Sequence, residues 1–544
     1  MKNKLYKLTS ILLSLTLVCS MFAILPTKTF AAEVDNDNVS ANANADEVSA
    51  DVDDNSVSSA ETFTSGDYKY TKNDDGTVTI SEYDEPDSEL EIPDTIDGYT
   101  VTAIGEQAFH VYDANSVIIP GSVKSIGYRA FYGCAYLKSV IIENGSASSV
   151  SIGDWAFAEC WSLENITLSD SVTVIGNHAF ESTHLKSINI PDSVVTIGDG
   201  AFHGENISFK SIIIPPSVES IGEYAFANLD SKLENITFLE GGTSKLTIKR
   251  CAFSGCKAKN LVFPDRDMQI GEDAFSSLES LESVEFTGGK IALGECVFQY
   301  SSVKNIVFSP NCTISIDGCA FKDCDKVESI IFPENVTELG GAAFYNCKSL
   351  KSITIPGSVK KIYSGTFESC ENLESVTFEE GITSIGDHVF LFCINLQNVD
   401  LPSTLTSIGQ SAFLACHKLK TITIPDNVTD INDHIGDIEI IACNRGSCAM
   451  KYVIEKASKN EYHYDIITKY KILDAIAGDT DLDGKVDIKD ATRLQMAISG
   501  VLDNDLEYTL MDNFNDVADL NKDEKSDVND VTLIQKMIAV YAAK

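Results

Sequence analysis

The stretch Ser407-Ile-Gly-Gln-Ser-Ala-Phe413 decides the fold, because the chain writes it again and again. It reads Ser125-Ile-Gly-Tyr-Arg-Ala-Phe131 early on and Thr196-Ile-Gly-Asp-Gly-Ala-Phe202 later. The phenylalanines recur at 109, 131, 157, 180, 202, 226, 253, 275, 298, 321, 344, 367, 390 and 413, and from Phe275 onward every step is 23 residues. Fixed-period self-similarity is the mark of a repeat architecture. In the regular repeats, six residues after each Phe comes a run such as Leu350-Lys-Ser-Ile-Thr-Ile-Pro356. Ile353 and Ile355 alternate with Ser352 and Thr354, a period-two strand of about four residues. Pro356 ends it, since proline cannot donate into a continuing ladder. The Gly after Ile permits a tight turn, and Ala and Phe point inward. One unit cannot bury this face alone, so copies must stack, aligning strands into a parallel sheet and rings into a column. Fourteen strands at about 4.8 Å give a solenoid roughly 65 Å long.

A charge ladder accompanies the strands. The position after the strand-leading Leu or its substitute runs Lys138, Glu164, Lys186, Lys210, Glu234, Lys259, Glu282, Lys304, Glu328, Lys351, Glu374, Gln397, Lys420. Opposite charges mostly sit on neighbouring coils, which disfavours slipping by one register. The outward strand positions are mild: Thr167, Thr237, Thr354, Thr377 and Thr423, with Val and Ile between. Such a surface suits an extended protein partner as well as a glycan. Tyr128, Tyr132, Tyr136, Trp155 and Trp161 cluster in the early coils, either half-buried between coils or open for sugar stacking.

The strand, the Ile-Pro, the Ile-Gly-x-x-Ala-Phe and the trailing Gly-x-Cys resemble the BspA-type leucine-rich repeat. The resemblance covers residues 64–468. It extends to an N-terminal cap hairpin at Thr71–Ile80, turning at Asp74-Asp75-Gly76, and to a C-terminal cap at Arg445-Gly-Ser-Cys-Ala-Met-Lys-Tyr452. It implies an α/β-type repeat solenoid of about 14 coils with a parallel β-sheet. Function is left open, because one fold hosts many partners.

Cys134, Cys160, Cys256, Cys324, Cys347, Cys370, Cys393 and Cys416 all follow the repeat Phe by three residues. A column of this kind reads as a ladder of small buried thiols filling core slots. Cys296 and Cys319 share a different repeat position on adjacent coils, so a disulfide is compatible there, as it is for Cys443 and Cys448. The Cys-x4-Cys spacing at 251–256 and 319–324 is a by-product of the repeat and not a zinc signature. The eight His are scattered. No His-Glu-x-x-His, Gly-x-Ser-x-Gly or phosphate loop is present, so no catalytic residue is assigned.

The sharpest chemistry lies near the C-terminus. Asp479, Asp481, Asp483, Asp487 and Asp490 stand at positions 1, 3, 5, 9 and 12 of a twelve-residue loop, with Gly484 at the sharp turn and Lys485 offering its carbonyl. Calcium takes six to eight hard oxygens, and this spacing supplies them. Forty residues on, Asp519, Asn521, Asp523, Lys525 through its carbonyl, Asp527 and Asp530 repeat the pattern. Each loop leads into an amphipathic helix: Leu494, Ala497, Ile498 and Val501 correspond to Ile534, Met537, Ile538 and Tyr541. About 70 residues make a small core, so metal is expected to be needed for the fold.

This duplicated unit, residues 474–544, resembles a dockerin, a small all-α calcium module that plugs into a cohesin domain of a cellulosome-type scaffold. The resemblance implies two calcium ions. Glu524 in place of the usual loop Gly and Ser526 in place of an apolar residue imply a weaker second site. It also implies cohesin-facing residues: Ile488, Lys489, Gln495 and Met496 in the first copy, and Val528, Asn529, Gln535 and Lys536 in the second. The copies differ there, so one docking orientation is expected.

Residues 1–31 read as a signal peptide: Lys2, Lys4 and Lys7, then an apolar stretch from Ile11 to Leu25, then Thr29-Phe30-Ala31 before the cut. Residues 32–63 read as an acidic disordered linker, with nine Asp/Glu and no Lys or Arg. No later run reaches the roughly 18 apolar residues of a membrane helix. The 544 residues carry a net charge of −40, which disfavours nucleic acid. Removing the signal takes away four Lys, leaving −44, of which −9 lies in the linker and −9 in 474–544. The reading that fits is a secreted, non-catalytic adaptor. A polysaccharide-degrading enzyme with its site on the solenoid, and an inhibitor or protective component, are the competing readings.

Overall fold

The computed structural model describes residues 61–85, 88–227, 232–432, 434–459, 469–473, 485–486, 488–498, 518, 520, 522 and 525–542. The residues read as a signal peptide lie outside these. Of the segment read as a linker, the last residues are described: Thr62–Ser65 is a strand, antiparallel to Tyr68–Lys72. Tyr68–Lys72 in turn pairs antiparallel with Val78–Tyr83, the hairpin expected at the N-terminal cap.

From Val78 to Ile472 the described residues form a parallel-β solenoid of about 16 turns. The expected 14 counted phenylalanines, and the end turns lack the Phe. After Phe413 the next coil pairs Gly436 with it, where another ring would stand. Before Phe109, Tyr83 and Tyr112 pack against its ring and close the column.

Most coils contribute two strands, where alternation alone showed one, and the coil through 187–190 forms only the second. The first is the four-residue strand, as in Ser352–Ile355, paired in register with Ser375–Phe378. The second is the Ser-Ile before the Gly, as in Ser125–Ile126. These two- to five-residue strands join one 15-stranded sheet reaching Asn335–Leu339, and a four-stranded parallel sheet carries the position on to Asp430–Ile431. A two-residue strand has no alternation to read, which is why it was invisible.

The Ile-Gly glycines act differently from the expectation. Gly127, Gly153, Gly176, Gly198, Gly222 and Gly409 are not in the left-handed region. A Cβ at Gly222 would sit 2.3 Å from the Asp199 nitrogen of the preceding coil. Their smallness lets coils approach closely. The left-handed residues are others, at the positions two before and two after each stacked Phe, among them Arg129, Trp155, His178, Cys296 and Cys319 before, and Glu159, Tyr300 and Asn346 after.

All fourteen rings from Phe109 to Phe413 stack face to face. Centroids are 4.9–5.7 Å apart and ring planes within 17°. The backbone follows: Phe321 N–H donates to the Ala343 carbonyl at 2.8 Å, one coil on. A second stack, Phe238, Phe263, Phe286, Phe308 and Phe332, fills the strand ends and meets the first edge-on, as Phe263 meets Phe275 at 80°.

The thiol column forms as expected. Cys324, Cys347, Cys370, Cys393 and Cys416 each donate S–H to the carbonyl of the preceding coil's Phe at 3.1–3.3 Å. Burial pushes Cys324 and Cys370 up to about 12, so these thiols stay protonated donors at neutral pH. Ser301 occupies the same slot and bonds the Phe275 carbonyl at 3.2 Å. Cys347→Ser is therefore expected to cost less than about 1 kcal/mol, and Cys347→Ala, which loses the bond and leaves a gap, about 1–2 kcal/mol. Urea denaturation of both variants checks the order, and equal losses would refute the hydrogen-bonding role.

The charge ladder is mostly not made of contacts. Among the described residues its members form two ion pairs, Lys186–Glu164 and Lys420–Glu439, each at 2.5 Å. Exposed pairs gain little, so these side chains remain solvated.

Helix α1, Cys448–Lys459, closes the C-terminal end, burying Ala449, Met450 and Val453. Ile435 N–H donates to the Tyr452 hydroxyl at 3.2 Å. A last strand, Lys469–Ile472, pairs parallel with Ile440–Cys443, just beyond the boundary of 468 expected for the solenoid. Two further helices follow, α2 (Ile488–Ile498) and α3 (Val528–Ala542), packed on each other. Leu494 and Ile534 are fully buried, with Ala491 and Val531 beside them. No described helix is long and apolar enough to cross a membrane.

Candidate functional site

The solenoid offers a long surface, the outer face of the four-residue strands, which pair in five successive short sheets. Their inward residues are buried; their central outward residues are not. Ile118, Ile141 and Thr167 are neighbours in register, as are Ile213 and Thr237. Val262, Glu285, Val307 and Ile331 follow one another in the same way. Thr354, Thr377 and Asp400 continue the line. The Thr positions expected outward are exposed, and the branched apolar residues between them are too: Ile331 is 77% exposed and Ile213 53%. Monomeric surfaces scatter such residues singly, whereas a register-aligned row of them marks an interaction surface.

A second face comes from the positions two before and one after each stacked Phe, brought side by side by the left-handed turns. In the early coils it is aromatic. The Arg129 guanidinium lies 4.9 Å over Tyr132 and 5.6 Å over Trp155, and Trp155 stacks on His178 at 4.3 Å. The members of the aromatic cluster divide between the two settings. Tyr132 and Trp155 are half-buried between coils, while Tyr136 and Trp161 are 61% and 58% exposed.

The next coils line a cleft of about 440 Å³ with His178, Glu181, Gly200, His203 and Tyr224. Glu181 lies 2.7 Å from His178 Nδ1 and 3.5 Å from His203 Nδ1. A Cβ at Gly200 would fall 2.5 Å from His178 Nδ1, so glycine keeps the cleft open. These histidines were scattered in the sequence, and only the coil period unites them. The signal was present: the Gly, Ala and Phe positions barely vary between repeats, whereas these vary widely.

Further along this face, burial pushes Glu368 up to about 7, opposed by the Lys322 ammonium. Its carboxyl is protonated more readily folded than unfolded. The stability it contributes is present below about pH 4.5 and is lost as pH rises through about 7. With its partial exposure the loss is about 1–2 kcal/mol. Glu368→Gln is expected to remove that loss, so the variant gains on wild type between pH 5 and pH 8 in thermal unfolding. Parallel pH profiles would refute it.

Of the fourteen described cysteines none forms a disulfide. Cys448 donates to the Thr429 carbonyl at 3.4 Å. Cys296 and Cys319 are half-buried neighbours.

In the loops expected to bind calcium, Asp479, Asp481, Asp483, Asp487, Asp519, Asn521 and Asp523 lie outside the described residues, as does the side chain of Ile488. Lys485 and Lys525 are exposed. Asp490 and Asp530 hold equivalent places, the third residue of α2 and of α3, and both are fully buried. Asp527 accepts the Asn529 N–H at 2.7 Å and so caps α3, while Asp530 accepts the Asp527 N–H at 2.9 Å, a reciprocal cap. The other oxygen of Asp530 accepts the Leu520 N–H at 2.8 Å. One carboxylate thus ties residue 520, at the start of the loop, to its end. Lys489, Gln495, Met496, Val528, Asn529, Gln535 and Lys536 are exposed, with Val528 67% exposed and Met496 38%.

A family model described as the BspA type leucine rich repeat region matches residues 88–208, 204–325 and 314–435. No curated protein matches the chain. Among solved structures, a leucine rich cell surface protein from Faecalibacterium prausnitzii is similar at 25% identity, over 72% of this chain and 90% of its own, with a TM-score of 0.33. A leucine-rich repeat protein from Bacteroides ovatus is similar at 25% identity, over 68% and 100%, with a TM-score of 0.45. The pneumococcal vaccine antigen PcpA is similar at 18% identity, over 78% and 95%, with a TM-score of 0.27. No catalytic family is indicated. With matches running from residue 88 to residue 435 of 544, the chain belongs to the BspA-type leucine-rich repeat family.

Proposed function

We propose that this is a secreted, non-catalytic binding protein. Its solenoid holds an extended protein on the outer strand face, and residues 474–544 form a dockerin that attaches the whole to a cohesin when calcium is bound. The observation that carries the binding role is the set of exposed branched residues at the central outward strand position, Ile141, Ile213, Val262, Val307 and Ile331, with Val262 to Ile331 in one paired sheet. Covering an exposed Ile is worth about 1–3 kcal/mol, and the row offers several in line. A glycan is the second reading, favoured by the exposed Tyr136 and Trp161.

The attachment role rests on the donor chemistry of the loops. Asp490 and Asp530 are buried carboxylates at the ends of two acid-rich loops. The carboxylates of both loops, with the Lys485 and Lys525 carbonyls, are hard oxygens that fit calcium. Bound calcium would supply the positive charge that gathers them. Lys489, Gln495, Met496, Val528, Asn529, Gln535 and Lys536, with Ile488, are the residues assigned to the cohesin.

The full chain should be screened on arrays of extracellular proteins and glycans. Ile213→Asp/Ile331→Asp is expected to weaken the captured protein ligand at least about tenfold with unchanged Tm. Equal capture by wild type and variant would overturn the strand-face assignment, and a ligand lost instead on Trp161→Ala would move it to the aromatic coils.

A further inference from the structure

We infer that Glu295, Cys296 and Cys319 form a binding site for a thiophilic divalent cation of the zinc class. One carboxylate oxygen and two sulfurs all lie within 4.8 Å of one another. Among the described residues this is the one group of three His, Cys, Asp or Glu side chains to converge in this way.

The repeat builds the convergence. Cys296 and Cys319 stand two residues before the stacked rings of Phe298 and Phe321, on adjacent coils. Both have φ of 56°. Cys296 N–H donates to the Gly318 carbonyl and Cys319 N–H to the Gly341 carbonyl, each at 3.0 Å. Identical backbone at identical places in the coil sends the two side chains out in the same direction, one coil apart. Glu295 adjoins the first thiol and is exposed, while the thiols are half-buried, so the cluster is open to solvent on one side. The column thiols differ in kind. They are buried one per coil, and each spends its S–H on a Phe carbonyl.

Thiolate sulfur is a soft donor and selects zinc-like ions over calcium or magnesium. A tetrahedral zinc with Zn–S near 2.3 Å places two sulfurs about 3.8 Å apart, within the separation found here. Binding converts two thiols and one M²⁺ into a dithiolate complex and releases two protons, with Glu295 as the third ligand. The fourth position takes water. Oxygen-rich calcium loops and this sulfur site prefer different ions, so both can be filled together.

The test uses the full chain, reduced and freed of metal, in excess calcium to occupy the C-terminal loops. Cobalt(II) is added as the probe and zinc as the competitor. The expected result is one equivalent of cobalt giving a thiolate charge-transfer band, two protons released per ion, and displacement of the band by zinc. Cys296→Ser/Cys319→Ser should lose the band with unchanged Tm, Glu295→Gln should weaken binding at least about tenfold, and Cys347→Ser should bind as wild type. Three results would overturn the site: no band with fully reduced thiols, an equal band in Cys296→Ser/Cys319→Ser, or a Cys296–Cys319 disulfide that forms in preference to the metal complex when zinc is supplied.

Discussion

Chelation by EGTA is expected to abolish capture by a cohesin and to melt α2 and α3, while the solenoid's unfolding is unmoved. Residues 474–544 carry a net charge of −9, concentrated in two loops. Among the described residues their buried apolar side chains are Ala491, Leu494, Ala518, Val531 and Ile534. Without a cation, the acids of each loop, close together in the sequence, are expected to repel one another. Loops of this spacing bind calcium with Kd of about 10⁻⁷ to 10⁻⁵ M, so at millimolar calcium each filled loop adds about 3–5 kcal/mol. That is a large share of the stability of so small a unit. Far-UV circular dichroism of the full chain with and without EGTA reads the helices, and calorimetry against a cohesin reads the docking. Asp479→Ala/Asp519→Ala should behave as the chelated protein. Asp479→Ala alone should cost more than Asp519→Ala, because Glu524 and Ser526 make the second loop a poorer one. Capture that survives both chelation and the double substitution would defeat the attachment reading.

The second large effect is expected in the ring column. Phe321 is fully buried between Phe298 and Phe344, both at 5.2 Å with planes 11° and 4° away. Phe321→Ala removes a ring with stacked partners on both faces and leaves a void that two rigid coils cannot close. The expected loss is about 3–5 kcal/mol, and about 1–2 kcal/mol for Phe321→Leu, which refills much of the volume. A solenoid's stability is a chain of nearest-neighbour terms, so weakening one link separates the coils before it from those after it. Urea unfolding followed by intrinsic fluorescence should then split into two transitions. Trp155 and Trp161 report the early coils, and hydrogen exchange reports the late ones. A single transition displaced by less than 1 kcal/mol would mean that the strands, not the rings, carry the coupling.

Much of the solenoid was legible because a repeat converts position in the sequence into position in space. The spacing of the fourteen phenylalanines and the eight cysteines three residues on already implied two columns, and both columns form. Other features were not legible for identifiable reasons. A glycine needed for close approach reads the same as one needed for a turn. Gly222 is the former, since only the backbone of Asp199 in the preceding coil shows what its missing Cβ avoids. The second phenylalanine stack was hidden because Phe238, Phe263 and Phe286 occupy a strand-end slot where Ile serves in other coils. The charge ladder erred in the opposite direction. Its alternation is plain in the sequence, yet solvent competes for exposed charges, and among the described residues only Lys186 with Glu164 and Lys420 with Glu439 meet.

By itself, then, the sequence determined the coil, its inward residues, and the acid spacing of two loops proposed to bind calcium, because each is a pattern of short range repeated in register. Only the tertiary structure decided which residues from different coils face one another. His178 and His203 come to share Glu181, and Glu295, Cys296 and Cys319 converge, through the left-handed turns and inter-coil hydrogen bonds that carry side chains across 23-residue steps. Those contacts depend on the stacking distance and on the direction in which each Cβ leaves the backbone, and neither is written in the order of the residues.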